Sequence, residues 1–295
     1  MVRKSEQLAV GSWQLWIKTI TLCALCVFAI HFSFAKPAYD FYFRSGLKQI
    51  EAQQYEEAIV SFSKYIARDS SKTVAFYNRG IAYKNLGQWA AAVNDFNKAL
   101  QLDVSDALAS RQFSATLFQL AINSYEAGDT ASALQHFATY VELNPQDDIG
   151  WFNYGVILSA KNEKQQAIEN YSKAIEINQL PVYYSARAID YFTLKNYDAC
   201  LPDVNTVLNA EPNDTTALWM RAQIFYVREN LMACEKDLEQ LLKIKSEHAD
   251  AKVMLSDVSV KLFIKNNWYY GAIAAALLLI ALVLGIFSLL RKKSS

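Results

Sequence analysis

Glycine and proline are scarce. Nine and five of them in 295 residues leave little turn chemistry, and with 53% apolar residues this favours long helices. An excess of charge of one sign is also missing: 29 Lys and Arg face 29 Asp and Glu, so no basic surplus points to nucleic acid. Residues 36–290 hold 23 basic against 28 acidic side chains, a mildly acidic and soluble balance of −5. Cysteine amounts to Cys23, Cys26, Cys200 and Cys234. The first pair falls inside an apolar run, without the strand–helix context of a redox Cys-x-x-Cys motif.

Chemistry-bearing motifs are missing as well. Beyond the N-terminal segment the histidines are His136 and His248, far apart and without Cys or paired acids at ligand spacing, so no metal site is expected. No nucleophile elbow, phosphate-cradling glycine loop or nucleotide motif occurs. Glu56–Glu57 and Asp147–Asp148 fall at turns or helix starts, where a solvated or dipole-facing role is expected. These absences predict a non-enzyme with no catalytic residue, no cofactor and no small-molecule substrate.

What is present is a repeat. In the stretch Thr73–Asp106, Phe76, Arg79, Gly80 and Tyr83 share one helix face, Gly87 breaks the pattern, and Ala92, Phe96, Ala99 and Leu100 form a second stripe. The small residue of the second helix recurs as Ala58, Ala92, Ala133, Ala167, Cys200 and Cys234, at separations of 34, 41, 34, 33 and 34. Twelve positions earlier stand Gly46, Gly80, Ala121, Gly155, Ala188 and Ala222; four positions later stand Phe62, Phe96, Phe137, Tyr171, Val204 and Leu238. The one interval of 41 predicts a first helix about two turns longer in the third unit. Pro202 is expected within the first four residues of its helix behind an Asp198 cap, where its missing N–H had no partner. Cys200 and Cys234 are expected about 10 Å apart on stacked hairpins, too far for a disulfide.

The ends of the chain read as membrane-directed. A basic region, the apolar run Thr19–Ala35 and the small pair Ser33 and Ala35 predict a signal peptide over 1–35, or else an uncleaved N-terminal anchor from Trp13. Near the other end, Asp250 to about Ile264 is amphipathic and is expected to cap the repeats, with a short linker, Lys265–Asn267, after it. Residues 268–290 are 23 without a charge and predict a transmembrane helix, flanked by Trp268, Tyr269 and Tyr270 on one side and by Arg291, Lys292 and Lys293 on the other. The basic tail 291–295 is then cytoplasmic and the repeats are exported, on the periplasmic side of an envelope. Lys292–Lys293–Ser294–Ser295 and the sequons at Asn170 and Asn213 keep open a type I adaptor of the endoplasmic reticulum.

A period of 34 with small residues and aromatics in fixed slots resembles the tetratricopeptide repeat (TPR) family over residues 39–248. The resemblance implies an all-α, right-handed helical-hairpin solenoid of about six units near 39–72, 73–106, 107–147, 148–180, 181–214 and 215–248. The capping helix and linker (249–267) and the transmembrane helix would follow. Pro145 and Pro212 hold the family's terminal proline slot; Ser70, Val104, Gln179 and Ser246 stand there in the other units.

In this family the first helices line a concave groove that binds peptides. The fifth residues of the units are Phe43, Tyr77, Phe118, Phe152, Ser185 and Trp219; Ile81 is a ninth-position residue, and Asn78 and Asn153 lie between. The implied peptide-binding groove is Phe43, Tyr77, Asn78, Ile81, Phe118, Phe152, Asn153 and Trp219, against the reading that these side chains only pack. Of the slots that form a carboxylate clamp in chaperone-binding members only Asn78 matches, so an apolar or amphipathic protein segment is the expected ligand. The expected role is a membrane-anchored scaffold binding protein partners. The alternative is a structural subunit whose groove is filled by its own chain or by another copy in a homo-oligomer.

Overall fold

The computed structural model describes residues 40–293, with side chains to residue 283. The predicted signal peptide or anchor at 1–35, Cys23, Cys26 and the last two serines lie outside the described residues. Within them every regular element is a helix and no strand occurs. Two compact units are formed. The first holds α1 (40–51), α2 (Tyr55–Ile66), α3 (Thr73–Asn85), α4 (Trp89–Leu102), α5 (Ala107–Glu126) and α6 (Thr130–Leu143). The second holds α7 (Asp148–Ala160), α8 (Lys164–Ile177), α9 (Pro181–Thr193), α10 (Tyr197–Ala210), α11 (Thr215–Val227), α12 (Leu231–Ile244) and α13 (Ala249–Lys293). Within each unit helices pack on their sequence neighbours, so the core is a series of hairpin interfaces.

The repeating slots are the closing surfaces of these hairpins. Ala58, Ala92, Ala133, Ala167, Cys200 and Cys234 are all fully buried at 0% exposure. The partner four residues later is equally buried, from Phe62 to Leu238. Size is traded across five of the six interfaces: a Cβ on Gly46, Gly80 or Gly155 would come within 2.9 Å of the Phe62, Phe96 or Tyr171 ring, whereas Ala188 and Ala222 stand opposite the smaller Val204 and Leu238; the α5–α6 hairpin keeps Ala121 opposite Phe137. The helix α5 has 20 residues where α3, α7, α9 and α11 have 13, the longer first helix that the 41-residue interval calls for.

Each hairpin turns through one left-handed residue: Gln53, Gly87, Gly128, Asn162, Lys195 and Glu229, with φ between 57° and 83°. Their spacing repeats that of the small slots, so the turn belongs to the unit although only two positions are glycine. A non-glycine residue there costs about 1–2 kcal/mol. Lys195→Gly is therefore expected to stabilise the α9–α10 hairpin by about 0.5–1 kcal/mol, read as slower hydrogen exchange of its amides; an unchanged or faster rate would mean the lysine stem contributes contacts that offset the strain.

Three expectations need correction. Asn196, not Asp198, caps α10, its side chain accepting from the Ala199 N–H, so Pro202 is the sixth residue of the helix and lies in its interior. The Asp198 carbonyl consequently loses its intrahelical donor. The linker at Lys265–Asn267 is absent: α13 runs unbroken for 45 residues. Nothing in Lys-Asn-Asn breaks a helix, and the Asn267 amide donates to the Phe263 carbonyl at 2.8 Å. The sequon at Asn170 is also unsuited to a glycan, because the side chain is 8% exposed and donates to the Gln166 carbonyl within α8.

Candidate partner-binding groove

Buried ion pairs hold the groove-bearing first helices in register. The Arg79 guanidinium donates twice to Asp95, both at 2.7 Å, and its third nitrogen reaches Ser63 at 2.9 Å on the preceding hairpin. The same fork recurs from Arg187 to Asp203 with Ser172, and from Arg221 to Asp237 with Asn205. Each clamp ties both helices of one hairpin to the second helix of the hairpin before it. Bonding to Asp95 and Asp203 raises the Arg79 and Arg187 guanidinium pKa, so these charges persist at every practical pH. Asp148 opens α7, the helix-start position expected for it, and also accepts from Tyr183 at 2.7 Å and Asn178 at 3.0 Å; burial and this bond raise the Tyr183 hydroxyl pKa.

On this scaffold the candidate groove residues fall in both units. In the first, Phe43, Tyr77 and Phe118 are half-buried on α1, α3 and α5, each against an aromatic ring of its own hairpin, with centroids 5.1–5.9 Å apart. Ile81 is likewise half-buried. In the second, Phe152 on α7 meets Tyr171 and Tyr183, and Trp219 on α11 lies 4.9 Å from the His248 ring. Every ring thus has a packing partner and keeps part of its surface open. The Asn78 and Asn153 amides donate to carbonyls of their own helices, Val74 at 2.7 Å and Ile149 at 2.8 Å, leaving each amide oxygen open.

The two described cysteines are free, buried thiols. Cys200 donates to the Ala188 carbonyl at 3.3 Å, and burial pushes the thiols up to about 12 and about 11 for Cys200 and Cys234. Both are protonated and unreactive at neutral pH. Among the described residues no three His, Cys, Asp or Glu side chains lie close enough to share a metal ion.

The second unit contains a cleft that the sequence reading misses. It is an open cavity of about 500 Å³ between α11 and α13, lined by Trp219, Tyr226, Asp250, Val253, Met254 and Asp257. Of these, only Trp219 is among the expected groove residues. The available signal was that the start of α13 continues the repeat: Asp250, Val253 and Asp257 follow Thr216, Trp219 and Gln223 at an interval of 34. At the far wall the Tyr226 hydroxyl donates to Asp257 at 2.6 Å and the Lys261 ammonium meets the same carboxylate at 2.8 Å, lying 4.3 Å over the Tyr226 ring.

Within each unit, helical hairpins whose first helices carry half-open aromatic rings define a repeat scaffold of the protein-binding class. Residues 73–106 and 118–179 each match a family model described as Tetratricopeptide repeat, so the chain carries tetratricopeptide repeats over these stretches. Among curated proteins it is similar to DnaJ homolog subfamily C member 3 of Gallus gallus, 24% identical over 74% of this chain and 38% of that one. The Tetratricopeptide repeat and J domain-containing co-chaperone DNJ1 of Fusarium oxysporum is 27% identical over 67% of this chain and 38% of its own length. The chain therefore spans well under half of these relatives. A solved structure titled as YrrB, a TPR protein with an unusual peptide-binding site, is 17% identical over 64% of this chain and 95% of that one, with a TM-score of 0.47.

Proposed function

We propose that this chain is a non-catalytic, membrane-anchored scaffold that holds extended or helical protein segments against the half-open aromatic rings on the first helices of its hairpins. The observation that carries the reading is that Phe43, Tyr77, Phe118, Phe152 and Trp219 occupy one slot in five of the six units, Ser185 standing in the fifth, and stay half-open, although each has a ring or imidazole to pack on. Rigid aromatic surface of this kind is efficient binding area because little side-chain entropy is lost on contact. A relative named as a co-chaperone is in keeping with a protein ligand.

The anchor in this reading is α13, the one helix among the described residues long and apolar enough to cross a membrane. Trp268, Tyr269 and Tyr270 are exposed where its apolar half begins, as interface-seeking rings are. With the basic end cytoplasmic, the repeats stand on the outer side and present their ligand close to the bilayer. A cysteine placed at Ser294 is then labelled by an impermeant maleimide only after the cells are opened; labelling of intact cells would invert the topology.

The groove is tested with the detergent-solubilised full chain, comparing affinity capture by the wild type and by a Tyr77→Ala/Phe152→Ala variant. Loss of bound partners from the variant with its thermal transition kept is the expected result. If the thermal transition disappears instead, the two rings are core residues and the groove reading falls.

A further inference from the structure

We infer that the cleft between α11 and α13 binds a basic side chain, lysine or arginine, of the partner's protein segment. This extends the groove reading by naming the chemistry at one end of it. The walls carry two elements of cation recognition, an aromatic pair, Trp219 and Tyr226, and two carboxylates, Asp250 and Asp257, and no cationic residue is among the lining residues. A cation that leaves water to sit over an aromatic face beside a carboxylate gains from both.

The molecule already performs this recognition once, with its own lysine. Lys261 lies over the Tyr226 ring and bonds both its hydroxyl and Asp257, and this contact holds the Asp257 carboxyl below its ordinary range. That neutralises the far wall. At the near wall Asp250 is exposed on the first turn of α13 and Trp219 is half-open, so one aromatic face and one negative charge are left over for an incoming cation. Val253 and Met254 between them supply apolar surface of the kind that covers the methylene stem of a long basic side chain. A cavity of about 500 Å³ accommodates such a side chain with part of its backbone.

The headgroup of a choline lipid offers a cation too, but the cleft lies away from where one would stand. From Asp257 to Trp268, the start of the apolar half, is 11 helical residues, about 16 Å along α13. The occupant is therefore a protein segment held above the surface.

The test uses the full chain in maltoside micelles, with empty micelles subtracted, and anisotropy of a fluorescein-labelled decapeptide of alternating leucine and lysine, its arginine counterpart and its glutamate counterpart. The lysine and arginine peptides are expected to bind and the glutamate peptide to fail. Asp250→Asn, an exposed change that leaves the fold intact, and Trp219→Leu are each expected to weaken binding about tenfold. Lys261→Gln, which frees Asp257, is expected to strengthen it several-fold. Binding that ignores Asp250 and Trp219, equal binding of the glutamate peptide, or displacement by millimolar phosphocholine that exceeds displacement by free arginine would overturn the proposal. The Tyr77→Ala/Phe152→Ala variant separates the two readings. Lysine-peptide binding that survives in it but needs Asp250 keeps the cleft and removes the wider groove; the opposite pattern keeps the groove and removes the cleft.

Discussion

An Asp203→Ala variant is expected to lose about 3–5 kcal/mol in the α9–α10 hairpin. The reason is what remains. Arg187 keeps its charge, is only 18% exposed, and has Ser172 as its other hydrogen-bond partner once the carboxylate is gone. Desolvating a guanidinium without an anion costs far more than the pair contributes when whole. The joint replacement Arg187→Met/Asp203→Leu removes both charges and is expected to cost much less than the sum of the single changes, a coupling that a double-mutant cycle measures directly. Native-state hydrogen exchange of the α9 and α10 amides is the suitable readout, since stacked repeats open piecewise. A loss below about 1 kcal/mol would mean that water replaces the carboxylate and that the clamp is not desolvated.

Gly155→Ala comes second. The added methyl would lie 2.6 Å from Cε1 and 2.8 Å from Cδ1 of Tyr171, and 3.2 Å from the Ala167 backbone carbonyl. Tyr171 is 2% exposed and has no empty direction in which to retreat, so α7 must move off α8. Overpacking of this kind costs about 1–3 kcal/mol, although alanine is otherwise the better helix former by about 1 kcal/mol. Pairing the change with Tyr171→Leu is expected to restore most of the loss, because Ala222 lives opposite Leu238 in this way within the same unit. If the double variant is no better than the single one, the backbone carbonyl rather than the ring is the obstacle.

The hairpins were legible because their closure depends on residue size, and size leaves a periodic trace: Gly80 against Phe96 and Ala222 against Leu238 can be paired from spacing alone. The clamps were harder to see. Arg and Asp stand 16 apart in three units, but the equivalent positions hold Ser45 and Ser61, Leu120 and His136, and Tyr154 and Asn170 elsewhere, so no column of the repeat is uniformly charged. The left-handed turn is visible at Gly87 and Gly128, is tolerated by Asn162, and is hidden at Gln53, Lys195 and Glu229, where the hairpin imposes a conformation those residues do not prefer. The α11–α13 cleft is not legible in the sequence because an amphipathic stretch after the last full repeat has the pattern of a cap on the repeats as much as of the wall of one more.

The continuity of α13 has a mechanical consequence. On the proposed reading, in which its apolar half is held in a bilayer, the helix is a lever arm whose fulcrum lies near Trp268 and whose far end carries Asp250 and the α12 face packed against it. Those residues are 18 apart, about 27 Å of unbroken helix, so a change in tilt of about 10° swings the cleft through about 5 Å. A thicker bilayer, or a partner that straightens the helix, would thus shift the position of the bound segment without breaking any contact in the repeats.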